Sequence, residues 1–333
     1  MTTLMGGASR QAYAATLPPD CFYCLLDELP LHLIPRCSWR CLRPQENQSL
    51  FLNPNCVLCV DGELPEGIGA CKKALASFAL GGTIAWVKDA VRETWLPFWL
   101  GPKFQDVIRN LTPGEPVPAS INEDVRAGLR AAGILRSPGE SKVLRQRQEE
   151  NLAKAAAAFQ EKGYAPVADL IHPFHVAALR RYYRYLIRTG AVRLGDRQSP
   201  RRYIAYNEPV AGFFHQQIAK SLSAIAGEPV KPSYVYMASY LSGAELKKHT
   251  DREQCEFSIT LCLDFSPEPK CETPWPIELD TPTGSVKVYQ ALGDGLAYRG
   301  TRLPHYRGVL GESQTSTSIF FHYVAEDFAG SLD

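Results

Sequence analysis

The residues best suited to metal chemistry are two histidines and one aspartate in the C-terminal half of the 333-residue chain. His249 and Asp251 stand two residues apart in an extended segment, where residues i and i+2 point to the same face. His305 follows 54 residues after Asp251. Two imidazoles and a carboxylate on one side of a transition metal leave its other positions open. This set therefore predicts a metal site with room for small molecules on the ion.

The segments that would carry these side chains are aromatic and β-branched runs separated by turn residues, which is typical of strands. They are Ser233–Tyr240, Cys255–Phe265, Ser285–Tyr289, Gly295–Tyr298 and Ser316–Val324. Two helices are predicted before them, one beginning near Pro173 and one over residues 210–227. Helices followed by strands predict an α+β fold, and favour a jelly roll over a doubly wound sheet.

The surroundings of the three residues resemble a known family. A run from Tyr240 to Asp251 (YLSGAELKKHTD), the turn Gly293-Asp-Gly, the pair Pro304-His305 and a closing strand SIFFHYV are its elements. Together they resemble the 2-oxoglutarate- and Fe(II)-dependent dioxygenases, especially the prolyl-hydroxylase-like branch. The resemblance covers roughly residues 163–325. It implies a double-stranded β-helix (jelly roll, cupin-like) core buttressed by helices, with a smaller mixed α/β domain before it.

The resemblance also implies roles for the three residues. His249, Asp251 and His305 would be the catalytic Fe(II) ligands. The family reaction combines 2-oxoglutarate with dioxygen, releases succinate and inserts oxygen into a C–H bond. An aspartate at position 251 favours hydroxylation over halogenation, since its carboxylate fills the place that a halide would need.

The cation that usually holds the far carboxylate of 2-oxoglutarate is missing from its expected place. That place falls between Ser316 and Ser318, where the chain offers only hydroxyl groups. A buried dianion needs a cation nearby. Arg307 is the first candidate, because a spacing of two residues keeps it on the face of the distal histidine. Arg299 and Arg302 are the alternatives.

Neutral groups are expected to complete the co-substrate site. Tyr240 and Tyr236, on the strand before the metal pair, can donate their hydroxyls to the nearer carboxylate of 2-oxoglutarate. Ser316 and Ser318 can add hydrogen bonds to the other. Each tyrosine has the alternative of simply packing in the core.

Other polar residues are predicted to lie outside this chemistry. In a continuing strand Arg252 would point away from the metal and pair with Glu256 or with a substrate carboxylate. His322 reads as an inner-face histidine that is satisfied by the protein and not as a fourth ligand. The basic run Arg180–Arg188 and the pair Arg201–Arg202 read as a solvated helix face beside a loop.

Ten cysteines are unevenly placed, with seven in the first 71 residues. The spacing of Cys21, Cys24, Cys37 and Cys41 is within reach of a four-thiolate structural zinc site. The alternative is a set of small core residues, because these cysteines lie among apolar neighbours and free cysteine is often buried.

Three parts are predicted along the chain: an N-terminal mixed α/β domain over residues 1–136, a connecting helix over 137–160, and the dioxygenase domain over 161–333. In the first part we expect helices at 67–89 and at 121–135, the latter capped by Asn122. This part has a low-specificity resemblance to winged-helix-like modules that dock leader peptides. The alternative is a generic interface-building domain.

Composition narrows the classes of partner. The formal charge is +1, from 36 Lys+Arg against 35 Asp+Glu, which gives no global footprint for nucleic acid. The longest apolar run, Ala74–Val87, is too short to span a bilayer and is interrupted by Gly81 and Gly82, so we expect either a buried helix or a helix-turn-strand piece. No secretory signal is evident, so we expect a cytoplasmic protein with reduced thiols and no membrane partner.

The sequence thus predicts an oxygenase that hydroxylates an amino-acid side chain in a peptide or protein, or else a free small metabolite. Three alternatives remain open. They are a catalytically silent jelly-roll binding protein, a zinc-organised interaction module, and a cupin-type iron enzyme that uses no 2-oxoglutarate.

Overall fold

A computed structural model describes residues 20–37, 49–89 and 94–332. Its N-terminal part holds a two-stranded and a three-stranded antiparallel sheet, of orders β1-β5 and β2-β3-β4, together with two helices. In chain order these are β1 (Phe51–Leu52), β2 (Cys56–Val60), β3 (Thr83–Lys88), β4 (Trp95–Trp99), α1 (Pro102–Arg109), α2 (Glu123–Ala131) and β5 (Leu135–Arg136). Short 3-10 helices cover Leu26–Glu28, Leu31–Leu33 and Gly69–Ser77.

The segment 67–89 is a helix-turn-strand piece, the second of the two predicted alternatives, and not one continuous helix. Only the 3-10 helix Gly69–Ser77 forms, and the chain then turns at Gly82, where φ is +80°, into β3. The β-branched and aromatic residues after this glycine favour a strand, and they are almost entirely buried. The helix predicted at 121–135 is present as α2. Asn122 caps it by accepting hydrogen bonds from the backbone of Asp124 and Val125.

The middle of the chain is helical, as predicted. A long helix, α3 (Glu140–Lys162), fits the predicted connecting helix and ends at Gly163, whose φ of +77° closes it in the left-handed conformation. The following elements are β6 (Tyr164–Val167), α4 (Pro173–Arg188), β7 (Arg193–Leu194), β8 (Arg202–Tyr206) and α5 (Pro209–Ala226). Both later helices carry proline at their first position, where the missing N–H costs nothing.

Eight further strands complete the described chain, and the five predicted strands are all among them. They are β9 (Val230–Tyr240), β10 (Leu246–His249), β11 (Phe257–Ser266), β12 (Ile277–Thr281), β13 (Gly284–Val288), β14 (Gly295–Arg299), β15 (His305–Arg307) and β16 (Thr315–Ala325). Cys255 belongs to a 3-10 turn, Glu253–Cys255, that comes just before β11.

These strands form two antiparallel sheets that face each other. The larger has the order β6-β14-β11-β16-β9-β8-β7, and the smaller has the order β10-β15-β12-β13. Along the chain, β9, β11, β14 and β16 enter the larger sheet, whereas β10, β12, β13 and β15 enter the smaller one. This alternation between two sheets makes a double-stranded β-helix, the jelly-roll core expected from the sequence.

Clusters of buried apolar side chains hold the sheets and the helices together. The largest cluster lies between the outer face of the larger sheet and helices α3 to α5, and it continues without a break into the N-terminal part. Phe22 of that part packs edge-on against Phe214 of α5 at a ring-centroid distance of 6.3 Å. A second cluster contains Tyr240, Cys262 and Trp275, and a third combines residues of both sheets. The predicted boundaries of the domains stay a prediction.

The described cysteines give the zinc hypothesis no support. Cys24 is fully buried, its thiol donates to the carbonyl of Phe174, and burial raises its pKa to about 12. Among the described residues, no converging set of metal-ligand atoms includes Cys21, Cys24 or Cys37. Cys41 lies outside the described residues.

Candidate metal centre

Two strands of the smaller sheet bring the predicted histidines together. His249 ends β10 and pairs in antiparallel register with His305, which begins β15. Their rings lie 4.4 Å apart between centroids. A bulge in β10 adds one residue between Leu246 and His249. The side chains of Leu246 and His249 therefore line the same cavity, although these two residues are three positions apart in the chain.

The hydrogen bonds of the two rings fix which nitrogen faces the site. Nδ1 of His249 lies 2.8 Å from the carbonyl oxygen of Lys247, and Nδ1 of His305 lies 2.9 Å from that of Leu303. A carbonyl can only accept, so each Nδ1 carries the proton and each Nε2 presents a lone pair. This is the orientation that metal-binding histidines adopt.

Asp251 completes the set from the loop after β10. Its Oδ1 lies 3.7 Å from Nε2 of His249 and 3.6 Å from Nε2 of His305. Its other oxygen, Oδ2, accepts from the hydroxyl of Ser258 at 3.3 Å. One oxygen is thus held by the protein, and the other is directed at the two histidines.

Gly300 makes this position of the carboxylate possible. The backbone N–H of Asp251 donates to the Gly300 carbonyl at 2.9 Å. A Cβ at Gly300 would stand 2.4 Å from both Oδ2 of Asp251 and the carbonyl oxygen of Cys255. A larger residue cannot occupy position 300 without displacing the aspartate or the backbone of the 3-10 turn.

The donor set fits a divalent transition metal. One atom from each of His249, Asp251 and His305 lies within 4.8 Å of the others. Burial lowers the pKa of His305 despite the opposing charge of Asp251, which favours the neutral ring that a metal needs. Two imidazoles and a carboxylate with open positions suit Fe(II).

A second converging set shares the same aspartate and contains Cys255 and His322. Burial raises the pKa of the Cys255 thiol to about 12, and its sulfur lies 2.9 Å from the hydroxyl of Tyr234. A protonated thiol is a poor ligand. His322 is buried, and its Nδ1 lies 2.8 Å from the hydroxyl of Ser258. It therefore supports Asp251 through Ser258, in agreement with an inner-face histidine that the protein satisfies.

Arg307 is a buried cation with no counter-charge. Only 4% of the residue is exposed, and no carboxylate oxygen of the described residues lies within 4.0 Å of its guanidinium. Nη1 donates to the carbonyl of Trp275 at 2.7 Å and Nη2 to Oε1 of Gln290 at 3.5 Å, while Nε has no partner. A buried charge of this kind is costly unless an anion meets it.

The other residues predicted for the co-substrate fall into two groups. Ser318 is fully buried and its hydroxyl has no partner. Ser318 pairs with Cys262 of the neighbouring strand β11. Burial raises the pKa of the Cys262 thiol, and the charge of the nearby Arg307 partly offsets this effect. Ser316 is two residues away on the same face of β16. Ser316 and Ser318 thus share the inner face near Arg307.

The two tyrosines differ in how they are engaged. The hydroxyl of Tyr240 accepts from Nη1 of Arg202 at 2.9 Å, which leaves its own proton free for another acceptor. The hydroxyl of Tyr236 already donates to Asp196. Tyr240 is therefore the better placed donor for a bound carboxylate.

The alternative anchors lie elsewhere. The guanidinium of Arg299 stacks over Phe159 and Phe257, at 5.1 and 5.3 Å, in the cluster behind the larger sheet. Arg302 is exposed in the turn before β15. Neither guanidinium therefore lies beside the metal residues. Both arginines come before β15, the strand in which the alternation of side chains places Arg307 on the same face as His305.

A cavity of about 420 Å³ opens onto the three metal residues. Its size is that of a small-molecule site. The lining includes tyrosines 206, 234, 236, 240 and 298, Phe320, His322, and the polar residues Arg193, Asp196, Arg197, Gln198, Arg202 and Arg252.

Three predictions about arginines are corrected here. Arg252 does not point away, because the chain turns into the 3-10 helix after Asp251 instead of continuing as a strand. Arg202 is 3% exposed on β8 and pairs with Asp196. Arg180 is 1% exposed and pairs with Asp264 and Glu268. The basic segments are therefore only partly solvated faces.

Two histidines and one carboxylate line a cavity of the double-stranded β-helix and form the donor set that a mononuclear metal site of the facial type would use. The sequence matches no family model and no curated protein. The described residues include no helix that is both long and apolar enough to cross a membrane.

Three solved structures illustrate the partial similarity that a comparison of folds finds. The non-haem α-ketoglutarate-dependent epimerase SnoN from nogalamycin biosynthesis matches at 16% identity with a TM-score of 0.44, over 53% of this chain and 83% of SnoN. A Pseudomonas putida prolyl-4-hydroxylase matches at 16% identity with a TM-score of 0.41, over 51% of this chain and 98% of its own. HygX from Streptomyces hygroscopicus, solved with nickel and 2-oxoglutarate, matches at 10% identity with a TM-score of 0.42, over 53% of this chain and 87% of HygX.

Proposed function

We propose that this chain is a non-haem, Fe(II)- and 2-oxoglutarate-dependent dioxygenase that hydroxylates an unactivated C–H bond. The observation that carries the proposal is the convergence of Nε2 of His249, Oδ1 of Asp251 and Nε2 of His305 on one cavity. The guanidinium of the buried, uncompensated Arg307 lies 4.9 Å over the ring of Trp275, which in turn contacts the ring of Tyr240 in the cavity wall at a centroid distance of 5.0 Å. A candidate metal site near a buried cation that has no counter-charge suits a dianion that also binds the metal, such as 2-oxoglutarate.

In this proposal the three ligands would hold Fe(II) on one face. With 2-oxoglutarate and dioxygen, the bound ion would supply the oxidising chemistry. The overall reaction converts 2-oxoglutarate, dioxygen and a C–H group into succinate, carbon dioxide and an alcohol. Ser258 and His322 hold Oδ2 of Asp251, so that Oδ1 stays directed at the metal. The aspartate occupies a position that a halide would otherwise need.

The residues around Arg307 would bind the far carboxylate of 2-oxoglutarate. Arg307 supplies the charge, and the hydroxyl of Ser318, which has no partner in the protein, supplies a hydrogen bond. Ser316 lies on the same face of β16. The hydroxyl of Tyr240 accepts from Arg202, so its own proton would be available to donate to a carboxylate oxygen of 2-oxoglutarate. Such a set replaces water around the dianion with fixed donors.

The cavity of about 420 Å³ can accept either a side chain or a small molecule. An amino-acid side chain in a peptide or protein is the substrate predicted from the sequence, and a free small metabolite is the alternative. Aromatic walls exclude water from the place where the C–H bond would lie.

The test is an anaerobic titration of the metal-free full chain with Fe(II) and then with 2-oxoglutarate. We expect a weak visible charge-transfer band that needs both additions. The band should be absent in His249→Ala and present in the control His32→Ala, which removes an exposed histidine far along the chain from the metal residues. Circular dichroism of each variant checks that the fold is retained.

Each other result points to a different protein. Iron bound without the band would keep the metal site and remove 2-oxoglutarate, as in a cupin-type enzyme. Absence of iron binding in the wild-type chain would refute the oxygenase and favour a jelly-roll binding protein.

A further inference from the structure

The mouth of the cavity carries more positive charge than the metal chemistry uses. Four arginines line the cavity, against two aspartates. One aspartate, Asp251, belongs to the metal set. The other, Asp196, is held by Arg202: burial by itself would raise its pKa, but hydrogen bonds from Arg202 and Tyr236 outweigh burial and lower it. Both acids are therefore already engaged.

Arg193, Arg197 and Arg252 remain without a counter-charge. Within the described residues, none of the three has a carboxylate oxygen within 4.0 Å. Arg193 lies on β7 and Arg197 on the turn before β8, while Arg252 comes from the loop after β10. Two separate parts of the chain thus place unpaired guanidinium groups on one cavity. The whole protein has a net charge of only +1, so this excess is local.

An aromatic face accompanies these charges. Tyr206 stacks on Tyr234 at a centroid distance of 5.1 Å and an angle of 28°. The guanidinium of Arg252 lies 4.5 Å from the centre of the Tyr234 ring and donates to the Tyr206 hydroxyl at 3.3 Å. Tyr206 is 46% exposed, so part of its ring is open to the cavity mouth. An open aromatic face next to guanidinium groups suits a flat group that carries a negative charge.

We infer, on the basis of the proposed function, that the substrate to be hydroxylated carries a carboxylate or phosphate beside a ring or other flat apolar group. Arg193, Arg197 and Arg252 hold the anion, and Tyr206 holds the flat group against Tyr234. The anionic end stays at these arginines, and the remainder of the substrate reaches the metal residues, which line the same cavity. Guanidinium forks match the oxygens of both kinds of anion.

The test uses four ring-bearing probes that differ in charge: 3-phenylpropanoate, phenyl phosphate, 3-phenylpropanol and 3-phenylpropylamine. Their affinities are measured by calorimetry on the full chain loaded with Fe(II) and 2-oxoglutarate without oxygen, and again on the metal-free chain. We expect the anions to bind about tenfold more tightly than the alcohol, and the amine to bind most weakly. The tighter of the two anions tells carboxylate from phosphate.

Variants separate the two parts of the surface. The double variant Arg193→Met/Arg197→Met should weaken the anions about tenfold and leave the alcohol unchanged. Tyr206→Leu should weaken all ring-bearing probes alike. The matched control Arg145→Met/Arg147→Met removes two exposed arginines of α3, outside the cavity, and should change nothing.

The co-substrate is itself an anion, so its affinity is measured on the same variants. Loss of 2-oxoglutarate binding in the Arg193/Arg197 variant to the same degree as the probes would assign these arginines to the co-substrate and overturn the inference. Equal binding of all probes, or binding of none, would also overturn it. An anion preference without the charge-transfer band would keep the anion site and refute the proposed oxygenase instead.

Discussion

Replacing Arg307 by methionine should separate binding of 2-oxoglutarate from stability of the fold. Methionine is unbranched, like the stem of arginine, and suits a buried apolar site. The substitution removes a buried charge that meets no carboxylate of the described residues. It also removes the donors to the Trp275 carbonyl and to Gln290.

The two effects on stability oppose each other. Each acceptor left without a partner costs about 1 to 3 kcal/mol, whereas loss of an uncompensated buried charge is favourable by a few kcal/mol. We therefore expect the free energy of unfolding of the metal-free protein to change by no more than about 2 kcal/mol. Binding has no such compensation. Loss of one partner of a buried charge pair costs about 2 to 5 kcal/mol, which is about 30-fold to several thousand-fold in Kd.

The assay is calorimetric titration of 2-oxoglutarate into protein loaded with Mn(II), which does not enter the oxidation. Thermal melting gives an independent measure, because a ligand at about a hundred times its Kd stabilises the wild-type fold by about 2.7 kcal/mol. That stabilisation should fall below about 1 kcal/mol in Arg307→Met and persist in the control Arg302→Met, which removes an exposed arginine. Arg307→Lys keeps the charge but loses the fork, and should lie in between. A Kd in Arg307→Met within about threefold of the wild-type value would refute the role given to this arginine.

Two further changes test the metal centre and its surroundings. Gly300→Ala should lower Fe(II) affinity by about tenfold or more, because the new Cβ displaces Asp251, whereas the control Gly81→Ala meets no atom within 4 Å; equal metal affinity in the two variants would contradict this. The metal-free protein should also lose stability as the pH falls below about 6.5. Burial lowers the pKa of His215 to about 3 and that of His322 to about 4, so between pH 6.5 and 4 the unfolded chain takes up protons that the folded chain does not. Each histidine should cost about 1.4 kcal/mol per pH unit in that range, and a free energy of unfolding that stays flat from pH 7 to 5 would contradict this.

The four strands at the centre of the larger sheet, β9, β11, β14 and β16, could be predicted, and those of the smaller sheet mostly could not. β9, β11 and β16 are ten or eleven residues long and rich in aromatic and β-branched side chains. β10 is four residues long with two lysines, and β15 has three residues. Such short strands form because neighbouring strands offer them hydrogen-bonding partners, and their own composition carries little signal.

The candidate site divides in a similar way. His249, Asp251 and Arg307 could be found because a spacing of two residues is a local relation. The engagement of Asp196 by Arg202 was missed, since a polar turn between two short strands looks like an ordinary solvated loop. The inward position of Arg252 was missed because the prediction continued β10 as a strand, whereas the chain turns into a 3-10 helix at Glu253.

Two pairs of site residues come together through a feature that could not be predicted from the sequence. The pair His249 and Asp251 lies at the end of one strand, and the pair His305 and Arg307 lies on another. They meet because His249 stands opposite His305, and this register is reached only through the bulge before His249. A register slip of one residue moves every side chain of a strand to the opposite face. The bulge therefore decides whether His249 and Asp251 lie beside the strand that carries His305 and Arg307, and the residue types of β10 give no indication of it.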